Sequence, residues 1–285
     1  MKVTGLIAIF LFSILYGNSQ TGDSTSSTVK PLAPWFVEKF KLTAGFFYPV
    51  NNTTIRVGIS GSPGTDIDFV KDLGFKSEIG TFLANFQWRI SRRSRINLGY
   101  YKIDRSSTHT LAKDITFDGN TYEVNASVNS FFNTAIYQFS YGYSIISKPK
   151  YELGILIGTH TIGAKAGIAL NGATMGASTS NDYGFTAPLP DLGIWGGYAI
   201  SDRFALNLDM DYLSLTVNSI AGRLLAYNFV IAYKLSNPFS VSLGYTGLNF
   251  QVDKTKNGVN GFLRWGYNGP TLAATFSFGK KSWAN

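Results

Sequence analysis

The chain has 285 residues, of which 45% are hydrophobic and only 15% charged, with a formal net charge of +8 and no cysteine. Soluble domains carry about 25% charged residues, so this surface is poor in charge, yet the mean hydropathy is only +0.04. Beyond the N-terminal segment no apolar run approaches the ~20 residues that a spanning helix needs. The missing cysteines exclude disulfides, thiolate metal sites and a lipoprotein anchor. The basic residues scatter over turns and strand ends, as in Arg89, Arg92, Arg93 and Arg95. They form no basic helix and no aromatic-basic motif, so no nucleic-acid partner is implied.

Residues 1–19 read as a secretory signal. Lys2 gives the positive start, Leu6 to Leu15 the apolar core, and Gly17 and Ser19 the small residues before a mature start at Gln20. Residues 20–36, rich in Ser and Thr with two prolines in Thr21 to Pro34, read as a disordered leader. From residue 37 to 279 strand-length segments recur in which apolar residues alternate with polar or small ones. In Thr81 to Ile90, Phe82, Ala84, Phe86, Trp88 and Ile90 share one face, and Asn85, Gln87 and Arg89 share the other. Successive strand side chains point to opposite faces, so each such strand has one greasy and one wet side. Low charge, period-two alternation and an export signal together imply an outer-membrane β-barrel. A secreted soluble sandwich would leave too many aromatics in water.

The first strand carries Phe40, Leu42, Ala44, Phe46 and Tyr48 on one face, and Ile55, Val57 and Ile59 then continue on the opposite parity. A bulge between Pro49 and Thr53 would join the two runs. Gly61 to Lys76 reads as a long polar loop. Strands follow over Glu78 to Ile90 and Ser94 to Asp104, joined by a tight turn at Ser91 to Arg93. Arg105 to Ala126 is a second long excursion with its own hairpin around Asp118-Gly119-Asn120. Strands at Phe131 to Ile145 and Tyr151 to Ile162 flank a turn at Ser147 to Lys150, and Ala169 to Pro190 reads as a third long loop. Strands at Leu192 to Ile200, Phe204 to Leu215, Leu224 to Lys234, Phe239 to Val252 and Gly261 to Phe278 complete the pattern. The last one flips parity at Asn268-Gly269-Pro270, which reads as a second bulge. Short and longer connections then alternate. That places the short turns in the periplasm and the long loops outside, in an up-and-down antiparallel barrel of about ten strands, or about twelve if both bulged segments split. Tyr48, Tyr100, Tyr141, Tyr198, Tyr245 and Tyr267 are candidates for interfacial girdles. Lys280 to Asn285 forms a tail.

The segment Gly64-Thr65-Asp66-Ile67-Asp68, followed by Asp72-Leu73-Gly74, resembles the acidic loop of a widespread family of bacterial outer-membrane β-barrel proteins. Ser140-Tyr141-Gly142-Tyr143-Ser144, Ala187-Pro188-Leu189-Pro190 and Gly269-Pro270 follow in the family-like order. The resemblance spans nearly the whole mature chain and implies an outer-membrane location with no settled activity. Val70 and Lys71 stand where the family usually shows further acids, and the tail past Phe278 departs from the aromatic ending common in barrels.

Three constellations could carry chemistry. Asp66, Asp68 and Asp72 in one glycine-containing loop could hold a hard cation, or else cap turns over the barrel mouth. His160, Asp209 and Asp211 fall on inward parities, and a base paired with an acid is what a hydrolase needs. The structural reading of the same acids is a lumen network with Arg89 or Arg264. Thirdly, the inward set Asn85, Gln87, Asn97, Gln138, Glu152, Asn228 and Lys234 could line a narrow channel, with Trp195 and Phe132 also pointing in. About ten strands leave little free lumen, so a wide porin is excluded. No cofactor is implied. The expectation is a monomeric barrel without catalysis, acting structurally or in binding through its outer loops. A narrow solute channel or an outer-membrane hydrolase are the alternatives. Its partners would be outer-membrane lipid, lipopolysaccharide and the barrel-assembly machinery.

Overall fold

The computed structural model describes residues 33–62, 64–172, 180–217, 220–256 and 259–279. The signal, most of the leader and the tail lie outside the described residues. In chain order the strands are β1 (Phe40–Phe47), β2 (Val50–Arg56), β3 (Ile67–Asp68), β4 (Thr81–Arg89), β5 (Ser94–Thr110), β6 (Ile115–Phe117) and β7 (Asn120–Tyr122). They continue as β8 (Ser127–Ser147), β9 (Tyr151–Leu170), β10 (Ser180–Ala199), β11 (Phe204–Val217), β12 (Ile220–Lys234), β13 (Phe239–Lys256) and β14 (Val259–Phe278). The main sheet runs β1-β4-β5-β8-β9-β10-β11-β12-β13-β14, and β14 pairs back with β1. All pairs are antiparallel, so ten strands close an up-and-down barrel, which satisfies the backbone polar groups in hydrocarbon. β2 and β3 extend the wall above β1, and β6 and β7 form a separate hairpin.

The exterior is apolar. Phe82, Ile157, Leu192, Leu243 and Leu272 are each more than half exposed, as lipid-facing side chains must be. Tyr48, Tyr100 and Tyr245 face outward toward the loop end of this band, and Tyr141 and Tyr198 toward the turn end. Tyr267 departs from the expected girdle. It is 3% exposed and points inward.

The parity flips in the first and last segments are not bulges. β13 and β14 pair without interruption from Phe239↔Phe276 to Lys256↔Val259. Phe47↔Thr271 and Val50↔Asn268 keep one register across Pro49. The backbone stays in step while the apolar side changes. On β14, Leu272 and Phe276 face lipid, whereas Leu263, Trp265 and Tyr267 are buried inside. On β1 and β2, Leu42 and Phe46 face lipid and Ile55 is buried inside. The level of the flip is marked by Gly269, where a Cβ would lie 2.2 Å from the Tyr48 carbonyl oxygen. A register shift does occur elsewhere, between Ser144 and Ile146 on β8.

The strands also run further than their alternation suggests. β8 has 21 residues and β9, β10 and β14 have 20 each, against the ~9–11 that cross a bilayer. The expected third long loop is mostly strand, because β10 pairs with β9 from Ser180 onward. Its Pro188 and Pro190 fit because β10 meets β11 only from Leu192, so the upper part of β10 is an edge that needs no donor on that side. Among the described residues the long connections at the outer end are 57–80 and 111–126. Three of the four described short turns, Ile90–Ser94, Ile200–Phe204 and Leu235–Phe239, share one geometry. The first residue donates its N–H to the carbonyl of the last at 2.9, 2.9 and 3.0 Å. In the first two, the Ser91 and Ser201 hydroxyls accept N–H bonds from the turn's last two residues, a local bond that favours the turn.

The two long connections fold inward and fill the outer half of the barrel. Ile67, Phe69, Leu73 and Phe75 from the first, with Ile115, Phe117 and Tyr122 from the hairpin, pack on wall residues Phe132, Ile136, Phe250 and Trp265 in one buried cluster. Thr65 N–H bonds the Thr116 carbonyl at 2.9 Å and Asp118 N–H the Val57 carbonyl at 3.2 Å, so loop and hairpin are stitched together.

Candidate functional site

Below this apolar plug lies a chamber of about 300 Å³. Its roof includes Phe47, Tyr101 and Tyr267, whose rings meet edge-on at 5.4–6.5 Å. Its wall carries amides and hydroxyls from every side, among them Asn85, Gln87, Asn97, Gln138, Asn228 and Thr275. Its lower margin includes Lys234, Ser236 and Asn237 at the β12–β13 turn, together with Trp35 and Phe36. Phe36 and Val37, assigned by sequence to the leader and the barrel start, are both buried against Ala199 and Ala205. The chain is therefore ordered inside the lower mouth before β1 begins. A lining this polar suits water or a small polar solute.

Two ion-pair systems span the lower lumen. The Arg89 guanidinium donates to both Glu152 carboxylate oxygens, at 2.6 and 3.2 Å, and Arg92 adds a 3.0 Å bond. Arg95 donates to Asp209 at 2.6 Å. Trp195 lies between these systems, with the Arg95 guanidinium carbon 3.7 Å and that of Arg89 5.7 Å from its ring centroid. The indole fits because β9 presents Gly154 beneath it. A Cβ there would lie 2.6 Å from Trp195 ring atoms and 2.3 Å from the Tyr143 carbonyl. Residues from β4, β5, β9, β10 and β11 thus brace opposite walls. One Arg–carboxylate fork and one single charged bond in a low-dielectric interior hold geometry well.

The sequence-predicted groups are only partly brought together. Asp209 pairs with Arg95, not with Arg89 or Arg264 as expected, and Arg264 points out of the barrel. The Asp211 carboxylate lies against Gly193, where a Cβ would be 2.5 Å from its Oδ1, and that oxygen has no hydrogen-bond partner among the described residues. His160 is inward and buried, and its Nδ1 lies 2.7 Å from Asp191 Oδ2. Sequence reasoning missed Asp191, because the two prolines before it read as loop. His160 sits midway along β9, and the plug stands between it and the outer rim. It bonds neither Asp209 nor Asp211.

The acidic loop is built as turns. Asp68 Oδ1 accepts the N–H groups of Val70 and Lys71 at 3.0 and 3.1 Å, and Asp72 Oδ2 accepts that of Asp68 at 2.8 Å. Asp66 bonds Arg56, and Lys113 lies 2.9 Å from Asp72. Each carboxylate is engaged by a backbone donor or a cation. Among the described residues no three acids or histidines converge as a metal cluster.

No family model matches the chain, and no curated protein does. Among solved structures it is similar to the outer membrane protease OmpT from Escherichia coli, at 10% identity over 90% of this chain and 99% of that one, with a TM-score of 0.54. The fold is that of a bacterial outer-membrane β-barrel. Looser similarities, with TM-scores of 0.37, are to Ail, the attachment invasion locus protein of Yersinia pestis, and to the toluene transporter TbuX of Ralstonia pickettii. Each is 10% identical, and they cover 84% and 87% of this chain and 99% and 91% of those chains.

Proposed function

We propose that the protein is a non-conducting, monomeric outer-membrane barrel that acts by binding through its folded outer cap, without catalysis of its own. The supporting observation is the buried apolar cluster that fills the outer lumen, with Phe69, Leu73, Phe75 and Phe117 each 3% exposed or less. A plug of fully buried apolar side chains offers no wet path for a solute, so a continuous narrow channel is disfavoured. The same plug separates the His160–Asp191 pair from any substrate outside, which weighs against a hydrolase at the outer rim. What remains accessible outside is a rigid cap made of the 57–80 connection, the β6–β7 hairpin and strands that rise well above the membrane. On this reading the acidic-loop family resemblance marks the cap's turn architecture. The partners are outer-leaflet lipid and lipopolysaccharide, with the barrel-assembly machinery inserting the chain. Planar-bilayer recording with the full-length protein tests this. No unitary current steps are expected, and reproducible steps from folded barrels would sink the reading.

A further inference from the structure

We propose that Arg223 and Arg264, on the outer face of the barrel, form a clamp for a phosphate of an outer-leaflet lipid. The inference rests on the outer-membrane reading above and gives that partner a place. Arg223 on β12 lies directly opposite Gln251 on β13, which lies directly opposite Arg264 on β14. Their strand neighbours Leu224, Leu263 and Trp265 are buried inside. Alternation therefore points both arginines outward, and both are exposed. Adjacent strands lie about 4.8 Å apart, so the two arginine backbones are about 10 Å apart. Two guanidinium arms can converge from that spacing over the Gln251 side chain.

Neither arginine makes an ion pair or a hydrogen bond among the described residues. Arg264 is nonetheless positioned, because its guanidinium lies 4.7 Å from the Phe262 centroid, and Arg56 lies 5.1 Å from the same ring. The neighbouring acids are already engaged, Asp66 by Arg56 and Asp253 by the Gln251 amide at 2.6 Å. Asp253 keeps its charge, since an amide does not neutralise it, so the sector sets two guanidiniums without an ion pair among the described residues against one such carboxylate. Arg prefers phosphate because its planar fork matches two oxygens at once.

The height fits a lipid headgroup. Tyr227 is four residues below Arg223, and Asn268, which accepts the Tyr245 hydroxyl at 2.6 Å, is four below Arg264. Four residues of a strand tilted about 40° rise about 10 Å. The polar layer outside the hydrocarbon is about 5–8 Å deep, within reach of a side chain that leans toward it. Below lie Phe229, Ile231, Leu243 and Leu272, an apolar wall for acyl chains. Elsewhere at the loop end, Lys102 is paired with Asp104 at 2.6 Å.

The test uses the full-length protein refolded in neutral detergent micelles, with diphosphoryl lipid A as probe and native mass spectrometry as readout. The double variant Arg223→Gln/Arg264→Gln is expected to lose about tenfold or more in affinity, corresponding to ~1.4 kcal/mol. Arg203→Gln, at a turn on the opposite end, should bind as the wild type does. Equal binding by the double variant overturns the clamp. So does equal binding of dephosphorylated lipid A, or displacement of the lipid by millimolar inorganic phosphate, which would mark a generic anion site. Membrane fractionation separates this from the reading beneath it. Recovery outside the outer membrane refutes the location, whereas an outer-membrane protein with arginine-independent binding refutes the clamp alone.

Discussion

The two halves of the lumen solve the same packing problem with opposite chemistry. The outer half is filled by apolar side chains lent by two loops, and the inner half is spanned by charged side chains from the wall itself. The contrast is sharpest in two buried arginines. Arg89, 1% exposed, meets a carboxylate in a two-bond fork. Arg105, 4% exposed, meets none among the described residues. It donates to Thr53 and lies 5.4–5.9 Å from the rings of Phe69, Phe75 and Phe132. An aromatic cage compensates a desolvated cation less fully than a carboxylate does. The inner half should therefore depend on its charges, and the outer half on its volume.

The largest effect is expected from breaking the inner brace. Glu152→Leu leaves Arg89 buried without its partner and should cost about 3–5 kcal/mol, read as a lower denaturant midpoint for the barrel in micelles. In the plug, Leu73→Ala removes a fully buried side chain from the loop and should cost about 2–5 kcal/mol. A value near zero would mean that the loop is not packed as described. Arg105→Met separates the two halves most directly. With no carboxylate to orphan, it should be neutral or raise stability by about 1–4 kcal/mol, and a loss as large as that of Glu152→Leu would erase the distinction. The smallest effect belongs to the lipid face. Phe82, 76% exposed, meets only acyl chains over most of its surface, and lipid can refill the space because it is as apolar as the side chain removed. Phe82→Ala should shift stability by less than about 1 kcal/mol.

The periodicity of single strands placed the wall and its inward residues well. Glu152, Asp209, Asp211, His160, Trp195 and Phe132 all point inward as their parity requires. Where one apolar face gave way to the other, the same rule misled. A change of parity on β14 looks identical whether a residue is inserted or the greasy side moves from lipid to plug. Strand ends were misjudged for a related reason. Above the membrane neither face needs lipid-type residues, so Ala187-Pro188-Leu189-Pro190 reads as loop although it pairs with β9.

The sequence alone determined the barrel and its inside and outside, because hydrocarbon imposes a two-residue period on every strand that crosses it. Which partners meet across the lumen was decided by closure. Arg89 and Glu152 are 63 residues apart in the chain, and Arg95 and Asp209 are 114 apart. No local pattern records such a distance. Only the register of ten paired strands and the inward fold of two loops bring those groups to bonding range.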